Sequence, residues 1–449
     1  MLLLAIPRRS WPDPAHAPVI FADAAATTPV RREVLEAMWP YLAGGLDGEF
    51  GNASSAHDLG RRAADALERA RSDVGRAFDA RPAEVIFTSG GTESCNLAIK
   101  GLALANPRDR HLITTAIEHQ AVLQSVAYLE RFHGFTTSYV RLTPDGVVEP
   151  AELKRALAKA PGEPNAVALV SIHHANNEIG VVQPIAELAT VARAAGALFH
   201  TDAVQSAASL PVSLRELGVD AVSLTGHKLG APKGIGALLL RHGCAIEPLI
   251  HGGGQEGGLR SGTEPVALAV GFAAAVSSCA TSPSSCATSP SSCATSPSSC
   301  ATSPSSCATN PSSCAKSQDL TDSLITARDE LIAGVLQAVP SAILTGPNPL
   351  QQGTSVEGVG AIGRLPGHAS FLFPGISGEA MLIELEQRGI VASSGSACSA
   401  GSAAASHVLL ALGYTPEVAE TAVRFSFDAP FDTTAVVQTI TDAHHLLAR

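Results

Sequence analysis

Charge, aromatic side chains and long apolar runs are all scarce in this chain. Only 16% of its 449 residues are charged and 4% aromatic, while 45% are hydrophobic. So little charge excludes a chain that is disordered throughout, and so much apolar surface supports a large core, divided here between two domains. No run approaches the roughly 18 to 20 apolar residues that cross a bilayer. The richest, ALAVGFAAAV, is short and alanine-heavy. Basic surplus is lacking too: a net charge of -11 and a pI near 5.7 leave no broad surface for neutralising nucleic-acid phosphates. The expectation is a soluble protein, with no membrane partner and no strong direct binding of nucleic acid.

Cysteine is scarce outside one segment. Six of the nine cysteines fall in a seven-residue repeat, CATSPSS, starting at Cys279 and ending in a degraded copy at Cys314. Apolar a and d positions are absent, and a proline in every unit costs about 3 kcal/mol in a helix interior, so the repeat is not a coiled coil. Zinc sites pair cysteines two to four residues apart, and here six residues intervene. Serine, threonine and proline point instead to a disordered insertion, which a surface connection tolerates at small entropic cost.

Around the repeat, short apolar runs alternate with helical patterns from Val19 to about Arg241. EVIFTSGG, HLITTAIEH, AVALVSIHH, ALFHTDAVQ, AVSLTGHK and IGALLLR read as strands of a mostly parallel sheet covered by helices, an α/β fold. The expected organisation is a tail over residues 1–18, whose MLLLAIPRRS order is not that of a signal peptide. A large domain follows over 19–276, then the insertion over 277–318 and a smaller α+β domain over 319–449. Helices flank the insertion, and a strand-like HASFLFPG, a helix GEAMLIELEQRG and a final helix beyond Asp432 follow it.

In such sheets ligands bind beyond the carboxyl ends of the strands. SLTGHKLGAPKG places Lys228 at a strand end among small residues, where partial desolvation would favour Schiff-base chemistry with a carbonyl cofactor. Lys233, in the glycine-rich turn, is the weaker candidate. Asp202, ending another apolar run with Gln205 three residues on, could hold a pyridinium nitrogen or simply cap a helix. Gly91 and Thr92 of FTSGGTES open a helix where free N–H groups can cradle phosphate. His119 could move protons, or be structural. Asn177 of HHANNEIG could donate to a cofactor oxygen, or stabilise a turn.

Taken together, FADAAATTPV, FGNASSAHDLG, TSGGTESCNLAIKG, EHQAVL, NNEIGVVQPI, HTDAVQS, GHKLGAPKGIGAL, HGGGQEGGLRSGTEP, SSGSACSAG and VRFSF resemble, in order, the cysteine desulfurases of the class V aminotransferase family. These are fold-type I enzymes dependent on pyridoxal 5'-phosphate (PLP), with an α-β-α large domain and a smaller C-terminal domain. The resemblance implies that Lys228 carries the cofactor, that His119 stacks on its ring and shuttles protons, and that Asp202 pairs with the pyridine nitrogen. Gln205 and Asn177 would approach the phenolic oxygen. Thr92, Thr225 and His227 would bind phosphate together with Thr263 of the other subunit of a homodimer. Asn52 and Arg424 would anchor the carboxylate of L-cysteine, arginine by its planar fork.

Cys398, amid VASSGSACSAGS, would take the substrate's sulfur as a persulfide and pass it on, alanine being the other product. Glycine, serine and alanine around it give the loop no bulky anchor. The longer loop resembles the subgroup serving iron–sulfur scaffold proteins or tRNA-thiolation enzymes in the cytoplasm. Two positions depart from the family pattern, Ala24 and Asp428. The competing readings are a selenocysteine lyase or other class V enzyme, a metal-binding protein acting through the repeat, and a catalytically dead scaffold.

Overall fold

The computed structural model describes residues 19–43, 48–106, 110–161, 167–278, 311–351, 363–395 and 405–448. Its strands are β1 (Ile20–Phe21), β2 (Val85–Thr88), β3 (His111–Thr114), β4 (Thr136–Tyr139), β5 (Val167–Ser171) and β6 (Leu198–Asp202). They continue with β7 (Ala221–Thr225), β8 (Gly236–Leu240), β9 (Ile343–Leu344), β10 (His368–Leu372), β11 (Ile390–Val391) and β12 (Ala422–Ser426).

Buried on both faces, β2, β3, β5, β7 and β8 are runs of mostly apolar residues with no polar alternation, as central strands of a helix-covered sheet require. Seven strands form one sheet in the order β2-β8-β7-β6-β5-β3-β4. Every pairing is parallel except those of β8, which runs antiparallel to both β2 and β7. The expected α/β large domain is therefore present, with one reversed strand. The reversal follows from the short GHKLGAPKGI turn, too short for a crossover helix between β7 and β8.

The C-terminal domain is an antiparallel sheet, β12-β10-β9, packed by helices Pro311–Ala338, Gly378–Gln387 and Thr433–Leu447 around Phe371, Phe425, Leu331 and Val436. Strand β1 belongs with it: Ile20 and Phe21 pair in parallel with Ile390 and Val391 of β11, and Ala22 lies in that domain's core. The boundary expected at residue 19 is thus crossed, because the first described strand completes the second domain.

The insertion is also shorter than expected. Helix Val266–Ser278 runs to its start, and the following helix begins at Pro311, inside the stretch read as disordered to residue 318. After Pro311 no proline recurs until Pro340, so the helix can extend back to it, and proline is tolerated in a first helical turn. Residues 279–310, with Cys279, Cys286, Cys293, Cys300 and Cys307, lie outside the described residues. Replacing residues 279–310 with a Gly/Ser linker of about eight residues shortens the loop by two doublings, worth only about 1 kcal/mol. The expected result is a melting temperature within about 3 °C of the parent. A fall of more than about 10 °C would show that the insertion packs on the fold.

Candidate active site

Strands β3, β5, β6 and β7 all release their chains at the same edge of the sheet, and the turns that follow them surround a cavity of about 840 Å³. Into it come His119 after β3, His173 and Asn177 after β5, Asp202 and Gln205 from β6, and Thr225, His227 and Lys228 from β7. Gly91 and Thr92 close one end, and Arg424 of β12 reaches in from the smaller domain with Gly395.

The Asp202 carboxylate is almost wholly buried, its Oδ1 accepting the Val204 N–H at 2.9 Å and its Oδ2 the Cys95 thiol at 3.4 Å. Among the described residues no helix stands between Asp202 and β7, so the helix-capping alternative does not hold; the Asp202 bond to Val204 closes a turn and leaves the carboxylate facing the cavity. His119 caps helix Gln120–His133, its Nδ1 accepting the Ala121 N–H at 3.1 Å, so in the neutral ring the proton sits on Nε2. His227 is pushed down to about 4 by burial and by the charges of Lys228 and Lys233, and is neutral at pH 7. Lys228 is half-buried on the cavity wall, whereas Lys233 is exposed and does not line it. That difference separates the two lysines that the sequence left in competition.

A phosphate ester fits the end of the cavity near Gly90 and Gly91. Gly90 has φ +152, which only glycine adopts without strain, and a Cβ on Gly91 would stand 2.6 Å from Val204 Cγ2. The space is kept clear where the Thr225 hydroxyl is buried without a hydrogen-bond partner among the described residues. An orphaned buried hydroxyl costs about 1–3 kcal/mol, so the site is completed by a ligand that accepts from it. Donors for a phosphate, a buried carboxylate for a pyridine nitrogen, a lysine and a capping histidine in one cavity match the groups of PLP.

Arg424 is 2% exposed. Its Nη2 donates to Asp23 Oδ1 at 2.5 Å, and its Nη1 to the carbonyls of Asn177 at 3.0 Å and Gly395 at 3.3 Å. Its Nε has no partner among the described residues. Asp23, which no sequence signal assigned, thus holds the arginine in place from 401 residues away in the chain. Gln205 lines the cavity, but its Nε2 donates to the Ala25 carbonyl at 3.0 Å, a tie to the backbone where contact with a cofactor oxygen was expected.

Two expected residues are not brought to the cavity of this single chain. Asn52 is exposed, its Oδ1 accepting the Ser54 N–H at 2.8 Å, and Thr263 is exposed on the loop before helix Val266–Ser278. The resemblance places Thr263 in the other subunit's site, and it does not line this cavity. Cys398 lies outside the described residues, but both ends of its segment are tied to the cavity wall. Gly395 is bonded to Arg424, and beyond the segment the Ser406 hydroxyl donates to the Glu178 carboxylate while the His407 ring meets the Glu118 carbonyl at 3.0 Å. A smaller cavity of about 130 Å³ adjoins Lys228 on its other side, and Ala24 and Asp428, the two departures from the family pattern, both line it.

Among the described residues, no group of His, Cys, Asp and Glu side chains could hold a metal ion, and no helix is long and apolar enough to cross a membrane.

Comparison with known proteins agrees with this geometry. Residues 20–285 match the family described as aminotransferase class-V. The chain is 38% identical over 408 residues to the cysteine desulfurase IscS of Dictyoglomus turgidum, covering 91% of this chain and 89% of that one. It is likewise 38% identical over 410 residues to the IscS-like cysteine desulfurase of Mycobacterium tuberculosis, covering 90% of each. Among solved structures, a NifS-like protein superposes with a TM-score of 0.75 at 31% identity, over 96% of this chain and 99% of that one. SspA, solved in complex with cysteine, gives 0.68 at 32% identity, over 92% and 99%.

Proposed function

We infer the reaction from one premise: the chain belongs to the class-V aminotransferase family, and within it to the cysteine desulfurases. It is a PLP-dependent enzyme that removes sulfur from L-cysteine and leaves L-alanine. The observation that carries this reading is the convergence of Lys228, Asp202, His119, Thr225 and Arg424 on one cavity. Bound there, PLP supplies an electron sink for charge developing at the substrate α-carbon.

The protein's own groups do the rest. Thr225, His227 and the Gly91–Thr92 turn hold the phosphate, and Asp202 fixes the pyridine end. Arg424, held by Asp23, presents its remaining N–H groups to the substrate carboxylate, so the amino acid enters in one orientation. Lys228 would attach the cofactor through its amine and, with His119 on the same cavity wall, would move protons at the substrate α-carbon. Cys398 takes the sulfur: its thiolate forms an S–S bond as the substrate C–S bond breaks, and a proton delivered to the carbon side completes alanine.

The persulfide then passes to an acceptor protein, of the iron–sulfur scaffold or tRNA-thiolation kind, from a cytoplasmic homodimer in which Thr263 of each subunit joins the phosphate site of the other. The PLP-loaded chain with L-cysteine and a thiol reductant should release alanine and sulfide in equal amounts. Alanine without sulfide would sink the desulfurase reading, as would formation of a keto acid. With L-selenocysteine as competitor, preferential selenide release would favour the lyase reading.

A further inference from the structure

Asp202 is satisfied by an unusual donor. Oδ1 accepts a backbone N–H, but Oδ2 accepts from Cys95, a residue on helix Gly91–Asn96 that is 1% exposed. Burial and the adjacent Asp202 carboxylate push the Cys95 thiol well up, so it stays protonated and donates. The contact does not stand alone. The Ser223 hydroxyl lies beside the same sulfur and also meets His200 Nε2 at 2.9 Å, while His200 Nδ1 meets Ser171 Oγ at 2.8 Å. His200 is itself neutral, lowered to about 4 by burial. A buried line of side chains therefore runs from β5 through β6 and β7 to the carboxylate, and it ends in sulfur.

We propose that Cys95 is a positioning residue that sets how strongly Asp202 binds the cofactor's pyridine nitrogen. The inference rests on the PLP reading and goes beyond it. A thiol is a weak donor, whereas a hydroxyl is a strong one. A strong donor on Oδ2 would draw off charge that the carboxylate otherwise offers to a pyridinium N–H, and a weak donor orients the carboxylate while leaving it that charge. Other titratable groups around this carboxylate include His119 and Glu118 after β3, His173 after β5, His200 on β6 and Lys228 after β7. Of these, Glu118 accepts from the Thr115 hydroxyl, the His173 N–H and His173 Nδ1, while Cys95 donates to Asp202 Oδ2.

The test compares the affinity of the full-length apo-protein for PLP with its affinity for 1-deaza-PLP, an isostere with carbon in place of the pyridine nitrogen. Wild type, Cys95→Ser and Cys95→Ala are each titrated by absorbance. Preference for PLP over the analogue is expected to fall about three- to tenfold in Cys95→Ser and to rise by a similar factor in Cys95→Ala, a range of about 0.6–1.4 kcal/mol. A merely structural role would change both affinities in parallel, so an unchanged ratio in both variants overturns the proposal. The near-isosteric serine variant keeps the test valid if alanine fails to fold. Wild type that binds neither compound would sink the PLP reading itself, a result distinguishable from an unchanged ratio.

Discussion

Lys228→Ala is expected to lower desulfuration of L-cysteine by about a thousandfold or more, the scale on which a covalent and proton-moving residue acts. PLP should still bind, because Thr225, His227, the Gly91–Thr92 turn and Asp202 are untouched by the substitution. Borohydride should therefore fix cofactor to the parent chain at Lys228 and fix none to the variant, although both take it up from solution. Lys233→Ala supplies the control. Lys233 shares the glycine-rich turn and the charge, yet it is exposed and outside the cavity, so its loss should leave the rate within about twofold. The contrast depends on five residues of spacing in one loop. Activity retained by Lys228→Ala, or lost equally in Lys233→Ala, would remove Lys228 from the reaction.

Those two lysines also show what local sequence can and cannot reveal. Apolar runs ending in polar residues mark strand ends, and strand ends in a parallel sheet mark the binding edge, so Asp202, Thr225, Lys228 and His119 were legible without coordinates. Pairings between distant strands were not. That Asp23 meets Arg424 depends on β1 lying beside β11 and Ser393 bridging Arg424, and neither segment carries a pattern naming its partner. Cys95 reads from its neighbours as one more small residue on a helix's inner face. Only the packing of helix Gly91–Asn96 against β7 and β8 brings its sulfur to Asp202. Asn52 and Thr263 differ in kind: their roles came from resemblance, and one chain does not bring either to the cavity.

The repeat displays the most thiols, but those of residues 279–310 lie outside the described residues, and the resemblance points to Cys398 instead. Cys398→Ser is expected to reduce sulfide release by about a thousandfold while leaving cofactor uptake and the affinity for L-cysteine nearly unchanged. A thiol ionises near pH 8.5 and its thiolate is the attacking form, whereas a serine hydroxyl stays protonated and does not accept sulfur. Binding should survive because Arg424, Lys228 and Asp202, the residues proposed to hold substrate and cofactor, line the cavity and are untouched by the substitution. Reach is assured by the chain: Cys398 follows Gly395 by three residues, at most about 11 Å of extended backbone, and Gly395 lines the cavity. On the far side the His407 ring meets Gln120 of the cavity wall at 3.4 Å, and the Ser406 hydroxyl donates to Glu178. After reaction with ³⁵S-cysteine and non-reducing digestion, label should sit on the Cys398 peptide in the parent and be absent from the variant. Label on the repeat peptides in Cys398→Ser, with sulfide release intact, would transfer the acceptor role to the insertion and overturn the assignment. If the label instead requires Cys398 and persists when residues 279–310 are replaced by a linker, sulfur chemistry is confined to the one cysteine whose stems are bonded to the cofactor cavity.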